Sequence, residues 1–219
     1  VRVNRLTRII DRVAIGAAAI GIAILMASCT PGSEITAAES DIVATLYDGA
    51  FDFGAVQSYA LADSIVHITG DTGDADSPLL SRDYDDEIIA KIAGELDAMG
   101  WTRVTDPSTS DMVVLVAATA RVDLSSYTPW YGYWGWYYPY PGGWGWYYPY
   151  PVVSYNYTIG TLVILLTDPD SANPNTETYE VPWVAAINGV LDDAVTDKQS
   201  RISRGITQAF DQSPYLSGD

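Results

Sequence analysis

The sequence predicts an α+β domain: a single, mainly antiparallel sheet with two helices packed on one face, interrupted by a long aromatic, Gly- and Pro-rich loop. Three observations lead there. Residues 81–99 and 192–210 carry apolar side chains at helical spacing. Several runs rich in Val, Ile and Leu, bounded by Gly, Pro and Asn, read as strands. The order is strand, helix, several strands, helix, which suits one sheet with its helices on one side.

Taken in order, Tyr47 to Leu61 holds spaced aromatic and aliphatic residues and reads as one or two short strands. Asp71 to Pro78 is an acidic loop. The first helix follows, with Ser81 or Asp83 able to cap it and Asp83, Asp85, Asp86 and Glu87 at the positive end of its dipole. Ile88, Ile89, Ile92, Leu96 and Met99 form its apolar stripe, and Gly100 is a stop. Trp101 to Thr105 is a short strand. Met112 to Val122 and Tyr157 to Thr167 are buried strands. Asp168 to Asn175 is a turn, and Thr176 to Ile187 is the partner strand of a hairpin. Pro182 lacks an N–H and pushes that strand toward an edge or a bulge. The last helix places Val195, Ile202, Ile206, Ala209 and Phe210 on one side, and Pro214 follows it.

From Leu124 to Thr167 no residue is charged. Tyr127 to Tyr157 holds 5 of the 7 tryptophans and 11 of the 16 tyrosines. Within it Trp134-Gly135-Trp136-Tyr137-Tyr138-Pro139-Tyr140-Pro141 recurs unchanged as Trp144 to Pro151, a tandem duplication. Its prolines and glycines exclude a regular helix and favour extended turns. Tyr and Trp present rigid rings with a polar tip. Trp130, Trp134, Trp136, Tyr137, Tyr138, Trp144, Trp146, Tyr147 and Tyr148 are therefore candidate contacts for a partner protein or a glycan. The bland alternative is a loop that folds back over its own domain.

The charge pattern separates a targeting segment from the body. Arg2, Arg5, Arg8 and Arg12 precede an apolar run from Val13 to Ala27, the pattern of a secretory signal. Its 15 residues fall short of the roughly 20 a spanning helix needs. The run ends at Leu25-Met26-Ala27-Ser28-Cys29, which resembles a lipobox, with cleavage between Ser28 and Cys29 and acylation, with chains such as palmitate, of this lone cysteine. The organisation expected is a signal peptide over residues 1–28, a lipidated tether over 29–45, and a domain over 46–216 that includes the aromatic loop at 124–156. Without the four arginines and one aspartate of the signal, the net charge of −17 becomes −20. That argues against nucleic acid, which needs a basic footprint.

Few residues offer chemistry. His67 is the single histidine, so a His-dependent triad or two-His metal site lacks partners, and a structural role is expected for it. The acids Asp71, Asp74 and Asp76, and Asp168 with Asp170, do not follow the EF-hand spacing and read as solvated turns. No metal, cofactor or catalytic set is expected. A carboxylate pair for hydrolysis is a minor alternative, with no spacing to single one out.

Several blocks together resemble the bacterial lipoproteins grouped as domain of unknown function 4136. They are Tyr47-Asp48 with Phe51-Asp52-Phe53 and Ser58-Tyr59-Ala60-Leu61; Met99-Gly100-Trp101; Asp111-Met112-Val113-Val114; Gly160-Thr161-Leu162-Val163-Ile164 leading to Asp168 and Trp183; and Arg201-Ile202, Ile206, Phe210 and Pro214. The sequence departs from the family at Leu165, where an acid is frequent, and at Pro182-Trp183-Val184-Ala185. The resemblance implies a lipid-anchored envelope domain and brings no activity or catalytic residue.

The expected role is a non-catalytic envelope lipoprotein, anchored to the membrane through lipid on Cys29 and contacting an envelope protein through its aromatic loop. A peptidoglycan- or polysaccharide-binding module is the alternative. Thr30 after the cysteine gives no inner-membrane retention signal of the Asp kind, which points to the outer membrane, facing the periplasm.

Overall fold

The computed structural model describes residues 43–68, 81–119, 122–123, 145–149, 156–157, 160–191 and 197–218. The expectations for the signal segment, Ser28, Cys29, most of the tether, the loop of Asp71, Asp74 and Asp76, and Trp130, Trp134, Trp136, Tyr137, Tyr138 and Trp144 lie outside these residues.

The strands are β1 (Val43–Tyr47), β2 (Ser58–Leu61), β3 (Val66–Ile68), β4 (Thr102–Val104), β5 (Met112–Thr119), β6 (Val122–Asp123), β7 (Gly145–Tyr147), β8 (Asn156–Tyr157), β9 (Thr161–Asn173) and β10 (Thr178–Ile187). The helices are α1 (Asp85–Ala98) and α2 (Lys198–Asp211). The sheet runs β1-β10-β9-β5-β2-β4, with β3 also on β5 and β7 on β10, while β6 and β8 pair separately.

The α+β class holds, but the sheet is mixed. β1 with β10, β10 with β9, and β9 with β5 are antiparallel. β2 with β5, β3 with β5, β2 with β4, and β7 with β10 are parallel. The cause lies in the connections: β2 reaches β4 through α1, and a helical crossover returns the chain in the same direction. β2 and β3 line the same side of β5, Leu61 opposite Val114 and Val66 opposite Ala117, so they form one strand interrupted by two extra residues.

Both helices lie on one face. Ile88, Ile89, Ile92 and Leu96 of α1 and Ile202, Ile206, Ala209 and Phe210 of α2 share a core with Met112, Val114 and Val116 of β5, Leu162, Ile164 and Leu166 of β9, and Trp183, Ala185 and Ile187 of β10. The alternate residues Val113, Leu115, Val163, Leu165, Val184 and Ala186 form a second buried cluster on the opposite face. A sheet buried on both faces explains why β5 and the first half of β9 are continuously apolar instead of alternating. The helices are tied to each other by Thr207 Oγ1 donating to Glu95 Oε1 at 2.7 Å, with Lys91 Nζ also 2.7 Å from that oxygen.

Local signals behaved as chemistry dictates, with two corrections, at Ser81 and at the Asp168–Asn175 turn. Gly100 ends α1 at φ +93°, with Trp101 N–H returning to Leu96 O at 3.2 Å. Ser81 does not cap the helix; its Oγ accepts from Asp83 N–H at 3.2 Å, a turn before α1 begins. The turn expected over Asp168–Asn175 is mostly strand: β9 runs on to Asn173, and the reversal is confined to the residues before Thr178, with Glu177 at φ +54°. Pro182 lies within a register irregularity between Glu180 and Trp183, as a bulge, but β10 is an interior strand. It is tolerated because β1 covers β10 only from Trp183 onward and β7 only up to Glu180.

Candidate functional site

The second copy of the aromatic repeat enters the sheet. Gly145–Tyr147 forms β7 alongside β10, with Gly145 opposite Thr178 and Tyr147 opposite Glu180. On the other side of β10, Thr178 faces Asn173 and Glu180 faces Asp168 of β9. Residues opposite each other share a face of a sheet, so two rows cross three strands: Tyr147, Glu180 and Asp168, then Gly145, Thr178 and Asn173. Tyr148, next in the chain, points the other way and packs on the Val113, Leu115 and Val163 face. One tyrosine thus serves the core while its neighbour, 54% exposed, faces solvent.

Tyr147, Ser171, Asn173, Thr176, Thr178 and Glu180 line an open groove of about 460 Å³. Its polar groups are held by local bonds. Ser171 Oγ accepts from Glu180 N–H at 2.7 Å and donates to Asp168 O at 2.6 Å. Thr176 and Thr178 hydroxyls meet at 2.8 Å. Asn173 Oδ1 accepts from Asn175 N–H at 3.0 Å.

The groove's carboxyl is unusual. Burial, the charge of Asp48, a hydrogen bond with the Asp48 carboxyl, and the charge of Asp168 all push the Glu180 acid above the ordinary carboxylate range. Burial does the same to Asp168, assisted by the charge of Asp170, although N–H groups of Asp170 and Ser171 oppose it. Asp168 is therefore not the solvated turn residue its neighbours suggest. It is half-buried in β9, and Asp48, Asp168 and Glu180 gather at one end of the sheet. No spacing in the sequence singles these three out. The available signal was an acid, Glu180, at the start of an otherwise apolar strand.

His67 of β3 is buried, its side chain 6% exposed, and its Nε2 lies 2.8 and 3.1 Å from the two Asp85 carboxylate oxygens at the start of α1. Arg82 Nη1 reaches the same carboxylate at 3.3 Å. This pair fastens β3 to the helix. Of the predicted contacts, β7 holds Trp146 and Tyr147, and Tyr148 follows it. Among the described residues no group of three or more His, Cys, Asp or Glu side chains has the arrangement of a metal site, and no helix is long and apolar enough to cross a membrane.

A second anchor organises the helical face. Trp183 Nε1 donates to Ser213 Oγ at 3.0 Å, Ser213 Oγ donates to Ala209 O at 2.9 Å, and Tyr215 OH lies 3.1 Å from the same hydroxyl. Tyr215 stacks on Tyr47, ring centroids 3.8 Å apart. Toward the β2 edge of the sheet the Asp111 carboxylate accepts from Gln57 N–H, Ser58 N–H and Ser58 Oγ at 2.8–2.9 Å.

These features define a mixed-sheet α+β domain with two helices on one face and an aromatic segment joined to its sheet. The chain belongs to the family described as Domain of unknown function (DUF4136), whose profile matches residues 43–215. It is similar to the crystal structure of a DUF4136 family protein (BT2437) from Bacteroides thetaiotaomicron, at 25% identity and a TM-score of 0.60, over 82% of this chain and 98% of that one. More remote likenesses are a PelC dodecamer from Paraburkholderia phytofirmans (12% identity, TM-score 0.36, 77% of this chain and 93% of that one). Another is a PDZ domain protein from Parabacteroides distasonis (15%, 0.41, 80% and 36%). Likenesses at that level support no statement about this chain. No curated protein matches it.

Proposed function

We propose that this protein is a non-catalytic cell-envelope lipoprotein, held by acyl chains on Cys29 at the outer membrane and facing the periplasm, whose domain contacts an envelope partner through its aromatic segment. The observation that carries the reading is the fate of the second repeat copy. β7 fixes it to the sheet by backbone pairing, Tyr148 is spent on packing, and Tyr147 is left exposed. An exposed tyrosine on a paired backbone, with only two side-chain torsions to fix, loses little entropy on binding, which makes it a good contact residue. The basic and then apolar residues 1–28, ending at the single cysteine, support the anchor. Each buried acyl CH₂ contributes about 0.8 kcal/mol, so several chains on one cysteine would hold the domain stably.

Two features favour a non-catalytic domain. The single histidine has Nε2 engaged by Asp85 in a buried pair, which suits a tie between elements. The Glu180 carboxyl is hydrogen-bonded to Asp48, unlike the separated pair of acids of glycoside hydrolases.

Photo-crosslinking tests the contact surface. With benzoylphenylalanine at position 147 of the full chain in intact cells, an adduct with an envelope component is expected. The same probe at Thr102, exposed on the opposite edge strand, is expected to give none. Equal adducts from both positions, or none from either, would overturn the reading.

A further inference from the structure

We propose that the groove across β7, β10 and β9 is a carbohydrate subsite for an uncharged sugar, with the Tyr147 ring as its stacking platform and Asn173, Thr176, Thr178 and Glu180 as its hydrogen-bonding wall. The inference rests on reading the aromatic segment as the contact surface, and it names the chemistry that surface takes.

A sugar ring has one face of C–H groups and a rim of hydroxyls that both donate and accept. The groove offers the complement of each. Tyr147, 54% exposed and fixed by pairing with Glu180, presents a π face, which attracts polarised C–H groups. The wall holds two hydroxyls, a carboxamide and a carboxyl, so it contains both donors and acceptors. Ser171 supports the wall from behind, since its hydroxyl bonds the backbone of Glu180 and Asp168. Gly145, opposite Thr178, brings no side chain to that position. About 460 Å³ lies within the ~300–1,000 Å³ common for small-ligand sites.

The same inventory argues against other ligands. Among the described residues no Lys, Arg or His lines the groove, and Glu180 stands beside Asp48 and Asp168, so a phosphate or a uronic acid would meet repulsion there. Apart from one ring, the described lining residues carry no large apolar side chain, which offers an acyl chain or the apolar face of a helix little to bury against.

Titration calorimetry of the full chain tests this, with cellotetraose and N-acetylated chitotetraose as uncharged probes and tetragalacturonate as the acidic one. At least one uncharged probe is expected to bind at millimolar concentration or below, and tetragalacturonate about tenfold more weakly. Tyr147→Ala is expected to weaken binding about tenfold and Tyr147→Phe about threefold or less. Because Tyr147→Ala also alters β7 itself, Asn173→Ala, on the exposed hairpin, is the second variant, with about a threefold loss expected. No heat from either uncharged probe, preference for the acidic one, or unchanged affinity in both alanine variants would overturn the subsite. A protein adduct from position 147 together with no sugar binding would remove the subsite and leave the proposed contact surface standing. No adduct of any kind from position 147 would remove the contact surface itself.

Discussion

Gly205 of α2 rides directly on Ile187 of β10: a Cβ added at 205 would lie 2.5 Å from Ile187 Cγ2. That contact explains a glycine in mid-helix, where it costs about 1 kcal/mol relative to alanine. The β-branched Ile187 has little freedom to move aside, so the helix sits close only because residue 205 lacks a side chain. Gly94 of α1 is the opposite case: among the described residues, nothing apart from its chain neighbours and its own helix backbone lies within 4 Å of where its Cβ would be. Denaturant titration should therefore separate two identical substitutions. Gly205→Ala is expected to destabilise by about 1–3 kcal/mol, and Gly94→Ala to stabilise by up to about 1 kcal/mol. A Gly205→Ala variant as stable as the parent or more stable would show that α2 is free to shift off the sheet.

Ser213 is the hub of the helical face. Its hydroxyl accepts from Trp183 Nε1 and gives its own proton to Ala209 O, and both Ser213 and Trp183 are fully buried. Ser213→Ala removes the acceptor and strands a buried indole N–H, at an expected cost of about 1–3 kcal/mol. Ser213→Thr keeps the hydroxyl and should lose less if the added methyl fits. An alanine variant as stable as the parent would mean that Trp183 finds another acceptor.

Two acids should move stability with pH in opposite directions. The backbone N–H of Gln57, opposed by some burial and joined by the hydroxyl and N–H of Ser58, lowers the Asp111 pKa. Its contribution is present above the unfolded-state value and is lost as pH falls through the folded one. Asp111→Asn should therefore cost about 1 kcal/mol at neutral pH, after allowance for solvent screening, and nothing in strong acid. Glu180 is shifted upward, first by burial and then by Asp48 and Asp168. Its favourable contribution exists below the unfolded-state value and disappears as pH rises through the folded one. Glu180→Gln should thus stabilise at neutral pH by less than about 1 kcal/mol, with the gain vanishing below the ordinary carboxylate range. Thermal melts across pH check both, and a Glu180→Gln gain that persists in acid would contradict the carboxyl cluster.

Periodicity made the helices and central strands legible. Ile88, Ile89, Ile92 and Leu96 repeat at helical spacing and are all buried, and the unbroken apolar runs of β5 and β9 reflect burial on both faces. Strand direction was not legible, because a period of two is the same in parallel and antiparallel sheets. β7 was hidden because three residues in a Gly- and Pro-rich repeat carry little strand signal, and the pairing comes from β10. The groove was hidden for a related reason. Ser171, Asn173, Thr176 and Thr178 are the residue types a turn needs, and composition cannot separate a turn from a binding wall. Trp146, Tyr147 and Tyr148 stood out in the sequence as aromatic contacts; that Tyr147 faces solvent while Tyr148 packs on the core is set by the strand.

The anchor on Cys29 is the central claim, since the contact surface has a biological setting only if the domain is held in the envelope. Intact-mass spectrometry of the full-length gene product recovered from the membrane fraction tests it most directly. The expected mass is that of a chain starting at Cys29 with acyl chains added, shifting to the unacylated soluble or uncleaved form in Cys29→Ala. An unmodified Cys29 thiol on the native protein, or membrane retention unchanged by Cys29→Ala, would contradict it.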